Sequence, residues 1–410
     1  MGLPPRLDSD RIGYCCWRSA FQQPSRAVIP MDNTPELDRL VTELNALGSR
    51  RTQEANRLDD WLALLRGQGG SDLYLVSGAP PAIRRQGAVR PLAEPPLDGE
   101  EIEDAVLPAL PAYAAEQYRK HGIADASLRR GAGGRFRVNL HRERGRAAAS
   151  IRALPLNPPE LSELGLPPGI EALSRLAHGL VLVGGPTGSG KTTTVAALVD
   201  AINRRDAKHI ITIEDPIEYE HPHRRSLVEQ VEIGIDAPDF TTALRSAVRQ
   251  SPDVIMVGEM RDPETMRIAL AAGETGHLVF STLHTSDVAS TVSRVSDAFP
   301  SERQTTIRQE LAMALAAVMT QVLVPGTAGN NVPAAELLMV GYGARQNIRK
   351  NSLQHLHQEI TMSRRDGSFT FEECLAGLVG RGAISTDEAR VRARHREELD
   401  GLLASGPLRP

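Results

Sequence analysis

The stretch GGPTGSGKTTT, Gly184 to Thr194, constrains the fold more than any other part of the chain. It lies between an apolar run, GLVLV, and a helix-like run, TVAALVDAIN. Gly185, Gly190, Lys191 and Thr192 satisfy G-x-x-x-x-G-K-[ST] in the strand–loop–helix context that this motif requires. Glycines let successive backbone N–H groups turn inward around a phosphate, and the helix N-terminus adds partial positive charge. The candidate nucleotide-binding residues are therefore Gly185, Pro186, Thr187, Gly188, Ser189, Gly190, Lys191, Thr192 and Thr193. Lys191 is placed to bridge β- and γ-phosphates, and Thr192 to offer its hydroxyl to Mg²⁺. No guanine-reading N-K-x-D occurs, so ATP is the expected nucleotide.

A strand that feeds such a loop belongs in an open α/β sheet. Further apolar strands follow: HIITIED, SPDVIMVGE and GHLVFSTLHT. Helical segments over 191–204, 239–249 and 262–273 separate them. This pattern predicts a mostly parallel sheet covered on both faces. Ligands of such sheets gather at the carboxyl ends of the strands. Those ends carry Glu214, Asp215 and Glu218 in TIEDPIEY, Glu259 after VIMVG, and His284 after VFSTL. Many P-loop enzymes place an Asp before that glutamate; here it is Gly258, which leaves Mg²⁺ to Thr192, waters and Glu259. One acidic end is expected to hold the metal while the other orients or deprotonates the attacking water. Asp215 alternatively caps a turn before Pro216. A neutral His284 donates to the γ-phosphate and reports its presence. His277 either contacts nucleotide or only fixes a loop.

Phosphoryl transfer also calls for an arginine against the developing charge. Arg245, Arg249 and Arg261 have no obvious placement for it. The segment 135–154 reads as an arginine-rich hairpin, which either acts across a subunit boundary or is a solvated basic surface.

The expected organisation is an extension over 1–55, an α+β unit over 56–153, a linker over 154–169, the P-loop domain over 170–330 and a mainly helical region over 331–410. Residues 1–34, rich in Pro, Arg and Ser, read as disordered, with Met31 an alternative start, and 35–67 have helical spacing. LPLNPPELSELGLPPG carries the punctuation of a linker. LAMALAAVMTQVLV, 311–324, is shorter than the ~20 residues of a membrane span and reads as a buried helix. The net charge of -4 provides no global basic field to recruit nucleic acid or anionic lipid. Three cysteines without a C-x-x-C pair suggest neither zinc nor a disulfide framework, so a reducing compartment is expected.

GPTGSGKTT, TIEDPIEY, RQSPDVIMVGEMRDPET and AAGETGHLVFSTLHT, in that order and spacing, resemble the type II/IV secretion ATPases, and within them the pilus retraction branch. The resemblance runs from about Ser71 through the tail and includes SDLYLVSGAPPAIRRQG and GRFRVN. It implies a cytoplasmic homohexamer, peripheral at the inner face of the cell membrane. Each subunit would join a PAS-like N-terminal domain to a RecA-like ATPase domain, with ATP and Mg²⁺ between them. The family's catalytic glutamates map onto Glu218 and Glu259. Its N-terminal-domain arginines map onto Arg137 and Arg152, with Arg144 a weaker alternative. Glu214, Asp215, His277 and His284 fall in the family's acidic and histidine boxes. The implied partners are an inner-membrane pilus platform protein and a partner paralog, with no nucleic acid. Retraction is favoured over assembly because no tetracysteine motif follows the histidines. GARQNIRK, 343–350, also resembles the retraction branch's tail element at Ala344, Asn347, Ile348 and Arg349. The alternatives are a pilus assembly or type II secretion ATPase and a low-turnover accessory paralog.

Overall fold

Alternation of apolar and polar side chains builds the first sheet of the computed structural model, which describes residues 39, 57–130 and 134–405. The described residues from 57 on belong to one compact unit. The disorder expected over 1–34 lies outside the described residues, as does most of the helix expected over 35–67. A helix over 57–67 (α1) precedes β1 (Asp72–Val76), β2 (Ala82–Arg85), β3 (Ala88–Pro91), α2 (Gly99–Val106), α3 (Ala112–His121), β4 (Ile123–Arg130), β5 (Gly134–Glu143) and β6 (Arg146–Ala153). The strands pair in the order β3-β2-β1-β6-β5-β4, each antiparallel to its neighbours. Phe136, Val138 and Leu140 of β5 turn inward with Leu73, Leu75 and Ile151, against Trp61, Leu65, Ile102 and Tyr118 of the helices. The period of two puts Arg135, Arg137 and Asn139 on the opposite, polar face. Asp98 starts α2 with a capping box, its carboxylate accepting from Glu101 N at 2.7 Å.

The second sheet begins with β7 (Gly179–Gly184), α4 (Lys191–Arg205), β8 (His209–Glu214), β9 (Leu227–Glu232), α5 (Phe240–Ala247) and β10 (Val254–Val257). It continues with α6 (Pro263–Glu274), β11 (Leu278–Leu283), α7 (Val288–Asp297), α8 (Ser301–Ala314), β12 (Leu315–Pro325) and β13 (Asn331–Met339). The tail is α9 (Tyr342–Arg349), α10 (Leu356–Met362), α11 (Phe371–Gly380), α12 (Thr386–Arg392) and α13 (Arg396–Ala404). The order is β13-β12-β7-β11-β10-β8-β9, parallel except for β13. β7, β10 and β11 are buried along their whole length, because helices cover both faces.

One expectation needs correction. The run 311–324 is not one helix: α8 ends at Ala314 and β12 carries the rest alongside β7. The segment 332–340 is largely strand, paired with β12. A continuous apolar run buried on both sides has no period, so only the neighbouring strand decides between helix and strand. In the tail element, Ala344 and Ile348 are buried, Asn347 donates to Glu359 at 3.1 Å, and Arg345 donates to the Met313 carbonyl at 2.8 Å.

A cavity of about 630 Å³ separates the two sheets, lined among others by Arg129, Arg135, Asn157, Ile217 and His221. The His221 ring is buried and its Nδ1 has no hydrogen-bond partner. Burial pushes the imidazole down to about 4, so it is neutral in the folded chain. The unfolded chain takes up this proton below about 6.5, the folded chain only below about 4. Stability from this group is therefore present above about 6.5 and is lost as pH falls through that window, on the order of 3 kcal/mol in full. Melting temperature should fall less steeply over this range in His221→Gln than in the unaltered chain. Equal slopes would remove His221 from the pH response.

Candidate active site

β7 stops at Gly184 and α4 starts at Lys191, so residues 185–190 cross from the sheet edge to a helix N-terminus. Gly185 has φ +153°, and a Cβ there would lie 2.4 Å from the Gln321 carbonyl and 2.5 Å from Ser189 Oγ. No other residue fits without displacing the backbone. Lys191 is 7% exposed, and its Nζ donates to the carbonyls of Gly185 at 2.8 Å and Pro186 at 2.9 Å. Burial lowers the pKa of this ammonium, and the nearby Glu259 carboxylate opposes that. Gln321 of β12 braces the loop from below. Its Nε2 donates to the Ser189 carbonyl and its Oε1 accepts from Thr194 Oγ1, both at 2.8 Å. Sequence reasoning missed Gln321, for which the one available signal was an amide inside an apolar run.

Parallel pairing brings the carboxyl ends of β8, β10 and β11 to the same edge as the loop. His284 Nδ1 lies 3.5 Å from Thr187 Oγ1, and its Nε2 lies 3.7 Å from Glu259 Oε2. Glu259 also pairs with Arg261 at 2.6 Å, an arginine with no obvious role in the sequence. Gly258 fits because β10 runs close to β8 here. Its N–H donates to the Ile213 carbonyl at 2.8 Å, and a Cβ would meet that oxygen at 3.3 Å.

The Glu218 carboxylate lies near the Thr192 hydroxyl. Burial raises its pKa above the ordinary carboxyl value; the charge of Arg137, the Thr192 hydroxyl and the charge of Arg152 pull it back. Beside it, the hydroxyls of Thr193 and Tyr219 lie 2.9 Å apart. Arg137 and Arg152 are register partners on β5 and β6, and Asp72 on β1 holds Arg152 Nε at 2.8 Å. Within the chain, the charges of both arginines bear on Glu218. Arg144 sits at the β5–β6 turn, 89% exposed and paired with Glu143 at 3.0 Å, so it does not belong to this group.

Three other candidates take different positions from those expected. Glu214 is turned inward and buried, and accepts from Thr212 Oγ1 at 2.7 Å and Gln230 Nε2 at 3.2 Å. Burial raises its pKa as well. It supports the turn carrying Glu218 and does not face the loop. Asp215 is exposed and close to α3; after burial, its charge is the next cause raising the Tyr113 hydroxyl. His277 lies at the opposite end of β11 from His284, with its Nδ1 3.1 Å from the Ala272 carbonyl at the end of α6. Its loop-fixing role is the one the geometry supports, since a whole strand separates it from the phosphate loop.

Among the described residues, no group of three or more His, Cys, Asp or Glu is arranged to hold a metal alone. The oxygen donors at the loop's end of the sheet, the Thr192 hydroxyl and the Glu259 carboxylate, are of the kind Mg²⁺ takes, which completes its shell with phosphate and water. A groove of about 640 Å³ opens beside the loop, lined in part by Pro186, His284, Arg294 and Val322.

Residues 145–394 match the family model described as type II/IV secretion system protein. The chain belongs to the type II/IV secretion system protein family. The type IV pilus retraction ATPase PilT of Pseudomonas aeruginosa is 40% identical over 342 residues, covering 83% of this chain and 99% of that one. The type IV pilus ATPase PilU of the same organism is 35% identical over 346 residues, covering 84% of this chain and 91% of that one. The crystal structure of the pilus retraction motor PilT with bound ADP is similar in fold, with a TM-score of 0.77 and 39% identity, over 84% of this chain and 98% of that one. As a member of the secretion family with an intact phosphate loop, the chain is a nucleotide-binding ATP hydrolase of mixed α/β, RecA-like architecture. Among the described residues, no helix is long and apolar enough to cross a membrane.

Proposed function

We propose that this family member is a ring-forming motor that converts ATP hydrolysis into domain motion driving type IV pilus retraction. One observation carries the reading. The charges of Arg137 and Arg152, on the first sheet, bear on Glu218, which follows β8 of the second sheet on the side where Lys191 and Thr192 open α4. A site divided between two bodies couples the phosphate it holds to their separation. The assignment to pili rests on the likeness to PilT, named a retraction ATPase.

The roles follow from position. Lys191 and the N–H groups of the loop bind and orient the β- and γ-phosphates. Glu218, with its raised pKa, accepts the proton of the attacking water. Arg137 and Arg152 stabilise the charge on the departing phosphoryl group. His284, between Thr187 and Glu259, registers the γ-phosphate. Thr192 and Glu259 would hold Mg²⁺, which neutralises phosphate charge when bound. Once the γ-phosphate leaves, the arginines and His284 lose their common partner, and the bodies 56–153 and 170–330 part about the Pro-rich linker 154–169. The ligand shifts this equilibrium only by what it binds differently in the two arrangements. In a cytoplasmic homohexamer at the inner face of the membrane, successive openings would displace a pilus platform protein.

The likeness to PilU keeps an accessory paralog as the second reading. Cells whose only copy carries Glu259→Ala test these readings together by pilus counts and twitching. Excess surface pili without twitching is the expected result. Bald cells would make the protein an assembly ATPase, and unchanged cells would leave the accessory role.

A further inference from the structure

β8 and β9 are parallel neighbours whose last residues, Glu214 and Glu232, are register partners. Both carboxylates are buried, at 4% and 2% exposure. Two acids side by side in the interior require countercharge or hydrogen bonds. Glu214 takes its hydrogen bonds from Thr212 and Gln230. Glu232 accepts from the Ile217 backbone N–H at 3.2 Å. Glu232 therefore holds the backbone of Ile217, the residue before Glu218, and Glu214 holds Gln230, whose Nε2 also donates to the carbonyl of Tyr219, the residue after it.

Among the described residues, the ion pair available to these two acids comes from the other sheet. Arg135 of β5 pairs with Glu232, and its guanidinium also interacts with the charges of Glu220 and Glu214. Arg135 is two residues from Arg137 and lies on the same polar face of β5. The same face of β5 thus carries Arg137, whose charge acts on Glu218, and Arg135, which pairs with Glu232.

We propose that Arg135 is a positioning residue: it supplies the countercharge for Glu214 and Glu232 only while the sheets are docked, and through them sets the backbone on either side of Glu218. Closure of the two bodies and alignment of the base are then one event. When the bodies part, the buried acids lose their cation and the turn is released, so hydrolysis is confined to the closed arrangement. The inference rests on the reading of Glu218 as the base.

Steady-state ATP turnover of the full chain tests it, with Arg135→Ala, Arg135→Lys, Glu232→Gln and the Arg135→Ala/Glu232→Gln double variant. Glu232→Gln keeps an acceptor for Ile217 N–H and removes the charge. Arg129→Ala is the control, since Arg129 is 67% exposed and joins the same two sheets through Glu220 at 3.2 Å. Misplacement of a reacting group should lower kcat roughly tenfold or more in Arg135→Ala and Glu232→Gln. The KM for ATP and the affinity for a fluorescent ATP analogue should stay within about twofold. The double variant should be no slower than the slower single one, because both changes break one linkage. Arg135→Lys should recover part of the loss, and Arg129→Ala should turn over normally. The proposal is overturned if Arg135→Ala and Glu232→Gln keep the parent kcat, or if Arg129→Ala falls with them, which would reduce the pair to general docking. If the unaltered chain itself lacks turnover that depends on Lys191, the functional reading fails first, and this inference with it.

Discussion

Lys191→Ala should abolish ATP turnover, lowering kcat by ~10²-fold at least, the scale set by removing one preorganised charge stabiliser. The ammonium already spans the loop, donating to the carbonyls of Gly185 and Pro186. It is 7% exposed, so its charge acts where water screens it little. Alanine removes the cation at the β/γ position and nothing in the loop replaces it. Thr192 and Ser189 supply hydroxyls and backbone N–H groups, which carry no net charge. Phosphate release by the purified chain is the measurement, with melting temperature as the check on folding. Turnover above roughly a tenth of the parent would refute the phosphate role, since it would leave less than ~1.4 kcal/mol for a charge in direct contact.

Glu218→Gln should cost ~10²–10⁴-fold in kcat, the contribution of a positioned proton acceptor, while ATP binding persists. Glutamine keeps an oxygen for the Thr192 hydroxyl, so the local packing survives and the proton acceptor alone is lost. Single-turnover kinetics separate the two effects: bound ATP should remain uncleaved. The same carboxylate should also set the acid limb of kcat/KM. A base works only when unprotonated, so activity is present above its pKa and is lost as pH falls through it. Burial raises Glu218, hence the limb should stand above the ordinary glutamate value of about 4.3 and should vanish in Glu218→Gln. A variant that still cleaves bound ATP at the parent rate would transfer the role to Glu259.

Some of this was legible along the chain because it depends on neighbours in sequence. GPTGSGKT needs a strand before it and a helix after it, and both are written in the flanking residues. Apolar runs separated by helical segments led to a parallel sheet, and a parallel sheet puts the ends of β8, β10 and β11 on one edge. Glu218, Glu259 and His284 could therefore be brought together on paper.

Residues whose role depends on another element could not be read in this way. Whether 311–324 was helix or strand turned on β7, against which β12 lies. Gln321 matters because β12 passes beneath the loop. Glu214 and Glu218 are four residues apart, yet one points inward and supports the other, a direction set by Thr212 and Gln230. His277 and His284 share β11 and lie at opposite ends of it. The chain by itself determined a phosphate loop, a parallel sheet and the acids and histidine at its edge, because a motif and a period act between near neighbours. Only the tertiary structure decided which side of each turn is buried and that Arg135 of one sheet pairs with Glu232 of the other, because burial and charge pairing are properties of what lies across the gap.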